Sequence, residues 1–342
     1  MKIFLYSSPY KYYRDNLLPL ARRFGELGHD VYMSHSYKKD DSLKNLIENI
    51  DISGDDFNKG FVKRFLIGDF NPDVVILTQA WWFLEDKIVK ICRQRDIPFY
   101  ILDHAAPIID YEERGGRKSH LYRNDTRGAR SHIVWGGESF RIMKNRGCKS
   151  RMDILGSPRV EDFMGKKGSR GVGSIKKKYG EKIAVFYNTN NKMKNKNAEF
   201  DIKKVGFFLK SLGYSLILKP HVRSSYNENK LKDFVIFKDK RLEDELIYAS
   251  DIMLFTFPSS VMIFGAVSKK PIISLYGDHW CDRAITFSNK YSDTFLNLTS
   301  VNQIIPYIEK ENNYKDFINE NLLYSKKESS VDRIINFIIN DI

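Results

Sequence analysis

Two apolar rhythms take turns along this chain: short unbroken runs, and longer stretches with apolar positions three and four residues apart. Lys2–Ser7 is an apolar, charge-poor run of the kind that a strand buried on both faces requires. Asp15–Leu27 then sets Leu17, Leu18, Leu20, Ala21, Phe24 and Leu27 at helical spacing. Gly28 supplies a C-terminal stop, and His29-Asp30-Val31-Tyr32-Met33 starts a second strand. The opening is therefore a βαβ unit. The alternation continues with strands predicted over Asp73–Thr78, Ile97–Leu102, Ser131–Trp135 and Met152–Leu155, and helices over Glu85–Arg95 and Glu138–Arg146.

Gly165–Gly180 breaks the pattern. It is rich in glycine and lysine, poor in apolar residues, and reads as a linker. Beyond it, strands are predicted over Ile183–Asn188, Ser215–Lys219, Val235–Phe237, Asp251–Phe255 and Pro271–Leu275. The helices between and after them are Asp201–Leu212, Leu242–Ala249, Ser259–Val267, Val301–Lys310 and Val331–Ile339. Strands alternating with helices imply an α/β fold with parallel sheets covered on both faces. Two such halves fit a GT-B architecture, two Rossmann-like parallel-sheet domains with a cleft between them, better than one large sheet. The predicted division is 1–164, a linker over 165–180, 181–325, and a C-terminal helix over 326–342 that packs back on the N-terminal domain.

Composition changes this picture in one respect. A length of 342 residues favours two domains, and 42% hydrophobic with 29% charged residues is ordinary for a globular chain. Cys92, Cys148 and Cys281 are scattered without metal-like spacing and read as reduced structural thiols of a cytoplasmic protein. The N-terminus turns polar too soon for a signal peptide. The longest uncharged stretch, Ile252–Ser268, is broken by Pro258 and falls short of the roughly 20 residues that a transmembrane helix needs. The formal charge of +13 is unusual, and it favours an anionic partner: a phosphate-rich substrate, an anionic membrane surface or nucleic acid. Solvated lysines explain the same number equally well.

Ligands of open α/β sheets bind beyond the carboxyl ends of strands. Lys219-Pro220-His221-Val222-Arg223 follows a predicted strand and puts Lys219, His221 and Arg223 where a diphosphate would lie, although a plain basic turn has the same composition. Ser259 and Ser260 follow another strand at a predicted helix start, where free N–H groups and two hydroxyls suit an anion; capping alone also favours serine there. Glu243, Asp244 and Glu245 can hold ribose hydroxyls or simply complement a helix dipole, and Glu245 is carried forward as the nucleotide candidate. In the first half His104 follows a strand, and an imidazole with a near-neutral pKa suits deprotonation of a hydroxyl. Asp103 beside it is the second catalytic candidate, and Asp110 lies nearby. Arg114 and Arg117, in the basic loop Arg114–Arg130, can grip an anion together with Arg159; a solvated loop reads the same way.

These residues carry a family resemblance. "Ile-Leu-Lys-Pro-His" with the run from Glu245 through Asp251, Ser259-Ser260 and Pro271 resembles the donor half of the CDP-glycerol glycerophosphotransferases, which build teichoic acid and capsule polymers on a GT-B fold. Asp103-His104-Ala105-Ala106-Pro107 is similar to that family's His-Gly-x-Pro motif, and Gly156-Ser157-Pro158-Arg159 to its Gly-x-Pro-Arg. The helix followed by Gly-His-Asp-Val resembles the start of many GT-B glycosyltransferases. Alanine replaces the glycine after His104, and Thr256-Phe257-Pro258 replaces an Asp-Tyr pair. The resemblance implies that His221, Ser259 and Ser260 contact donor phosphates.

The expected function is transfer of a sugar or polyol-phosphate unit from a CDP-, CMP- or UDP-activated donor to a hydroxyl of a glycan, polymer or other anionic acceptor. The N-terminal domain is expected to hold the acceptor and the C-terminal domain the nucleotide, with no required metal or other cofactor. Expected partners are the nucleotide-linked donor and an anionic acceptor, a cell-surface polymer or nucleic acid, with peripheral contact at the inner membrane face. A UDP-sugar 2-epimerase shares the outline, and a basic nucleic-acid-binding or nucleic-acid-modifying protein would share the charge. No RNP, helix-turn-helix or zinc pattern supports the last.

Overall fold

The structure is a computed structural model that describes residues 1–7, 13–35, 50–54, 61–79, 83–103, 128–145, 147–188, 196–220, 232–239, 242–275, 287 and 289–342. The chain divides into two compact units. The first comprises the described residues of 1–107, 112–162 and 319–342, and the second those of 163–318.

The first unit is built on a seven-stranded sheet in the order β3-β2-β1-β4-β5-β6-β7. Its strands are β1 (Lys2–Ser7), β2 (Asp30–His35), β3 (Ile50–Gly54), β4 (Val74–Leu77), β5 (Phe99–Leu102), β6 (Ser131–Val134) and β7 (Met152–Ile154). Every pairing is parallel. A π-helical turn, Tyr13–Leu17, leads into α1 (Leu18–Glu26). The helices α2 (Phe61–Ile67), α3 (Phe83–Gln94) and α4 (Gly137–Asn145) follow. Both faces of the sheet are buried, which is why its strands read as unbroken apolar runs. One face packs Ile3, Leu5, Val74, Ile76 and Leu102 against Leu20 and Phe24 of α1. The other packs Phe4, Tyr6, Val75, Leu77 and Ile101 against Phe65, Ile88, Val89 and Cys92. Burial pushes the Cys92 thiol up to about 12, so it stays protonated and unreactive.

The second unit repeats the plan in six parallel strands, ordered β10-β9-β8-β11-β12-β13. These are β8 (Ile183–Asn188), β9 (Ser215–Pro220), β10 (Val235–Ile236), β11 (Ile252–Phe255), β12 (Ile272–Ser274) and β13 (Leu296–Asn297). The helices of this part of the chain run in order from α5 (Pro158–Gly165), within which the division between the units falls, through α6 (Arg170–Tyr179) and α7 (Lys196–Ser211) to α8 (Glu243–Ala249) and α9 (Val261–Val267). Next come α10 (Ile304–Glu309), entered through the 3-10 turn Val301–Gln303, and α11 (Lys315–Asn321). Ser300 and Gln303 form a capping box at that turn.

Gly165–Gly180 is not an extended linker. Most of it is helix α6, whose Ile175 is buried while Lys177 and Lys178 face solvent. The glycine content has a packing cause: a Cβ on Gly171 would stand 2.7 Å from Glu245 Cγ of α8, so glycine lets the two helices approach. The helix predicted from Ser259 begins at Val261, and β3, α2, β13 and α11 are elements that the apolar rhythm did not announce.

The last helix, α12 (Ser330–Asp341), belongs to the first unit. Ile334, Ile335 and Ile338 are buried in the α1 core, each contributing about 1.5–3 kcal/mol. Both carboxylate oxygens of Glu161 accept the Ser330 N–H, at 2.6 and 2.8 Å, and the Ser329 side chain accepts from Asp332 N. Arg333 donates to the carbonyls of Leu155 and Leu323. The returning chain also bonds Leu323 N to Trp135 O at 2.7 Å and lies so close to Gly136 that a Cβ there would be 2.3 Å from Asn321 C.

Gly136→Ala should therefore cost about 1–3 kcal/mol, since backbone and not a flexible side chain must give way. Gly165→Ala, with nothing within 4 Å of its Cβ, should stay within about 0.5 kcal/mol of the parent. Chemical denaturation of the two variants side by side checks this.

Candidate functional site

Parallel strands send every following loop out at one edge, and the crevice opens where the strand order reverses. In the second unit that switch point lies between β8 and β11. The last rows of four strands stand in register there: Lys219 pairs with Tyr187, Tyr187 with Phe255, and Phe255 with Ser274. In-register residues point to the same face. The Tyr187 ring stacks on Phe255 at 4.9 Å with planes 10° apart.

Lys219 Nζ forms an ion pair with Glu243 Oε1 at 2.7 Å, linking the end of β9 to the first turn of α8. The Tyr187 hydroxyl is buried and has no hydrogen-bond partner, as is the Ser274 hydroxyl. Burial first, and then the charges of Glu243 and Asp244, raise the Tyr187 pKa well above the ordinary phenol value, so it remains a neutral donor. Sequence reading passed over Tyr187; the signal was a hydroxyl-bearing residue near the carboxyl end of an otherwise apolar strand.

The residues after β11 differ in what they do. The Ser259 hydroxyl accepts Val261 N–H at 3.3 Å, a local turn bond. Ser260 is the N-cap of α9 in the αR conformation, and its side chain makes no capping bond. Thr256 Oγ1 donates to Tyr187 O at 3.3 Å and ties β11 to β8 at the switch point. Glu245 faces α6 beside Gly171, and its Oε2 is buried without a partner. His221 and Arg223 lie outside the described residues.

In the first unit the switch point lies between β1 and β4. The Ser7 and Thr78 hydroxyls meet there at 2.7 Å, and Gln79 Nε2 donates to Glu85 Oε1 at 3.1 Å. Two strands along, Asp103 is buried at the end of β5, and its Oδ1 lies 3.0 Å from His132 Nε2 of β6. The Trp135 indole donates to the Asp103 carbonyl at 2.8 Å. Arg159, expected at an anionic acceptor, is buried with its Nε 3.5 Å from Asp15 Oδ2. His104, Asp110, Arg114 and Arg117 lie outside the described residues.

Comparison with known proteins gives the fold class and a family match over part of the chain. The wall teichoic acid polymerase TagF with CDPG superposes with a TM-score of 0.66 at 13% identity, covering 99% of this chain and 88% of that one. UDP-GlcNAc 2-epimerase from Methanocaldococcus jannaschii gives 0.64 at 12%, with 99% and 100% covered. Anabaena Alr3699/HepE in complex with UDP gives 0.60 at 11%, with each chain covered completely. The fold is GT-B. Within that class, residues 131–288 match the family CDP-glycerol:poly(glycerophosphate) glycerophosphotransferase, which supports an enzyme of the glycerophosphotransferase type. The match spans Arg159, Lys219, His221, Arg223, Glu245, Ser259 and Ser260, and stops short of Asp103 and His104. No curated protein matches the chain in sequence.

A buried hydroxyl without a partner weakens the fold and is retained where a ligand fills the bond. Tyr187→Phe should raise stability by about 1 kcal/mol while weakening nucleotide binding by about threefold to tenfold. Thermal denaturation and calorimetric titration with CDP on one preparation test both halves. A variant destabilised and equal in affinity would remove Tyr187 from the site.

Proposed function

We propose that the protein transfers a polyol-phosphate unit, glycerol phosphate in the first instance, from a CDP-linked donor to a hydroxyl of an anionic polymer. The family match over residues 131–288 carries this reading, because it covers the switch point of the second unit and the candidate donor residues there. In this reading His221, Ser259 and Ser260 donate to the diphosphate, Arg223 supplies positive charge, and Tyr187 completes the phosphate shell. Lys219 contributes less net charge than a lone cation, since Glu243 already pairs with it. Glu245 remains the candidate for the ribose.

The chemistry is a phosphoryl-type transfer. The acceptor oxygen forms a bond to the phosphorus of the glycerol phosphate, the phosphoanhydride bond to CMP breaks, and CMP leaves with the electron pair. His104 takes the hydroxyl proton as general base, while fixed donors at the diphosphate stabilise the charge that builds on the leaving group, with no metal required. The acceptor side is assigned to the first unit, where Arg114 and Arg117 grip an anionic chain. The charge of +13 suits such a chain and peripheral contact with an anionic membrane. Among the described residues no helix is long and apolar enough to cross a membrane.

An epimerase acting on a UDP-sugar is the second reading, favoured by the coverage of the M. jannaschii enzyme over the whole chain. CDP-glycerol should raise the melting temperature more than UDP-GlcNAc at equal concentration, since a ligand of the native state stabilises by mass action. The opposite order, with turnover of UDP-GlcNAc in the absence of any acceptor, favours the epimerase. His221→Ala and the Ser259→Ala/Ser260→Ala pair should each weaken donor binding by about tenfold to a hundredfold. His104→Ala should keep donor affinity and lower kcat by about 10²–10⁴-fold.

A further inference from the structure

Asp103 is held more tightly than a loop residue at a strand end needs to be. Its N–H donates to Ile133 O at 3.0 Å, its carbonyl accepts from the Trp135 indole at 2.8 Å, and its Oδ1 lies 3.0 Å from His132 Nε2. The Asp103 and His132 side chains are only 4% and 2% exposed. With all three bonds made, two polar atoms remain buried and unpartnered: Asp103 Oδ2 and His132 Nδ1. An ionised carboxylate requires His132 Nε2 to carry the proton. The unfilled group of consequence is Oδ2, a carboxyl oxygen with a fixed direction and no donor.

We propose that Asp103 and His132 form a hydroxyl-binding site on the acceptor unit, in which Oδ2 accepts the O–H of a polyol and His132 is the positioning residue that fixes the carboxylate through Oδ1. The assignment to an acceptor hydroxyl rests on the transfer reading given above; the existence of the site does not. A carboxylate oxygen accepts an O–H or N–H and repels a phosphate; with a hydroxyl acceptor, as in the transfer reading, the ligand class is a polyol or the hydroxyl end of a polyol-phosphate chain. Sequence alone did not reveal His132, because it occupies the second position of a short buried strand where an apolar residue is the rule.

The Trp135 indole N–H bonds to Asp103 itself and therefore reports on the site without any turnover. In a spectrum of protein carrying ¹⁵N-tryptophan, its signal is assigned with Trp135→Phe among the four tryptophans of the chain. Titration with short oligo(glycerol phosphate) should shift this signal saturably, whereas inorganic phosphate alone should not. Asp103→Asn and His132→Leu should weaken the response by about tenfold to a hundredfold. His132→Gln, which restores an N–H donor at similar reach, should recover most of it. With CDP-glycerol as donor, the same variants should raise KM for the oligomer while leaving donor affinity unchanged. Absence of a shift in the parent protein, an equal shift from phosphate alone, or a full response in folded His132→Leu would each overturn the site. A normal shift without any CDP-glycerol turnover would leave the site standing and overturn the transfer reading instead.

Discussion

Parallel pairing in both sheets is the constraint from which the rest of the structure follows. Because each described strand runs the same way as its neighbours, each carboxyl end opens on one edge, and helices cover both faces. Side chains within the strands have only the core to meet. Chemistry is confined to the final row of each strand and the residues just after it. Lys219, Tyr187 and Ser274 occupy such a row in one unit, and Ser7, Thr78 and Asp103 such positions in the other.

Buried polar atoms without partners are uncommon in stable proteins. Tyr187 Oη, Ser274 Oγ, Asp103 Oδ2 and His132 Nδ1 are such atoms, and they lie on strands that end at these two edges. The Tyr187 hydroxyl feels the charges of Glu243 and Asp244, and the Asp103 carboxylate lies against an imidazole, so each has charged or ionisable groups around it. Preorganisation of this kind lets a ligand replace water at little further cost in reordering.

Much of the fold was legible in the sequence because apolar periodicity reports burial directly. β1, β8 and α1 follow from runs and spacings that only a doubly covered sheet explains. β3 and β13 were not legible, being short edge strands whose pattern carries little weight. The stretch Gly165–Gly180 misled for a specific reason: glycine serves two purposes, flexibility and close approach, and at Gly171 it serves the second. At the candidate site, strand-end logic picks out Lys219, Ser259, Ser260 and Asp103 as candidates, since order along the chain encodes which residues follow a strand. Tyr187, Glu243 as the Lys219 partner, and His132 depend on which strands lie side by side, which no single segment reveals.

The return of residues 319–342 to the first unit bears on how the molecule comes into being. As the chain leaves the ribosome, the segments of the first unit emerge early but lack Ile334, Ile335 and Ile338 to cover one sheet face. The second unit, drawn largely from 163–318, has its whole core available before that face can be closed. The usual N-terminal-first order of domain completion is thereby inverted. Until α12 has been made, the apolar residues of α1 that pack against it remain uncovered.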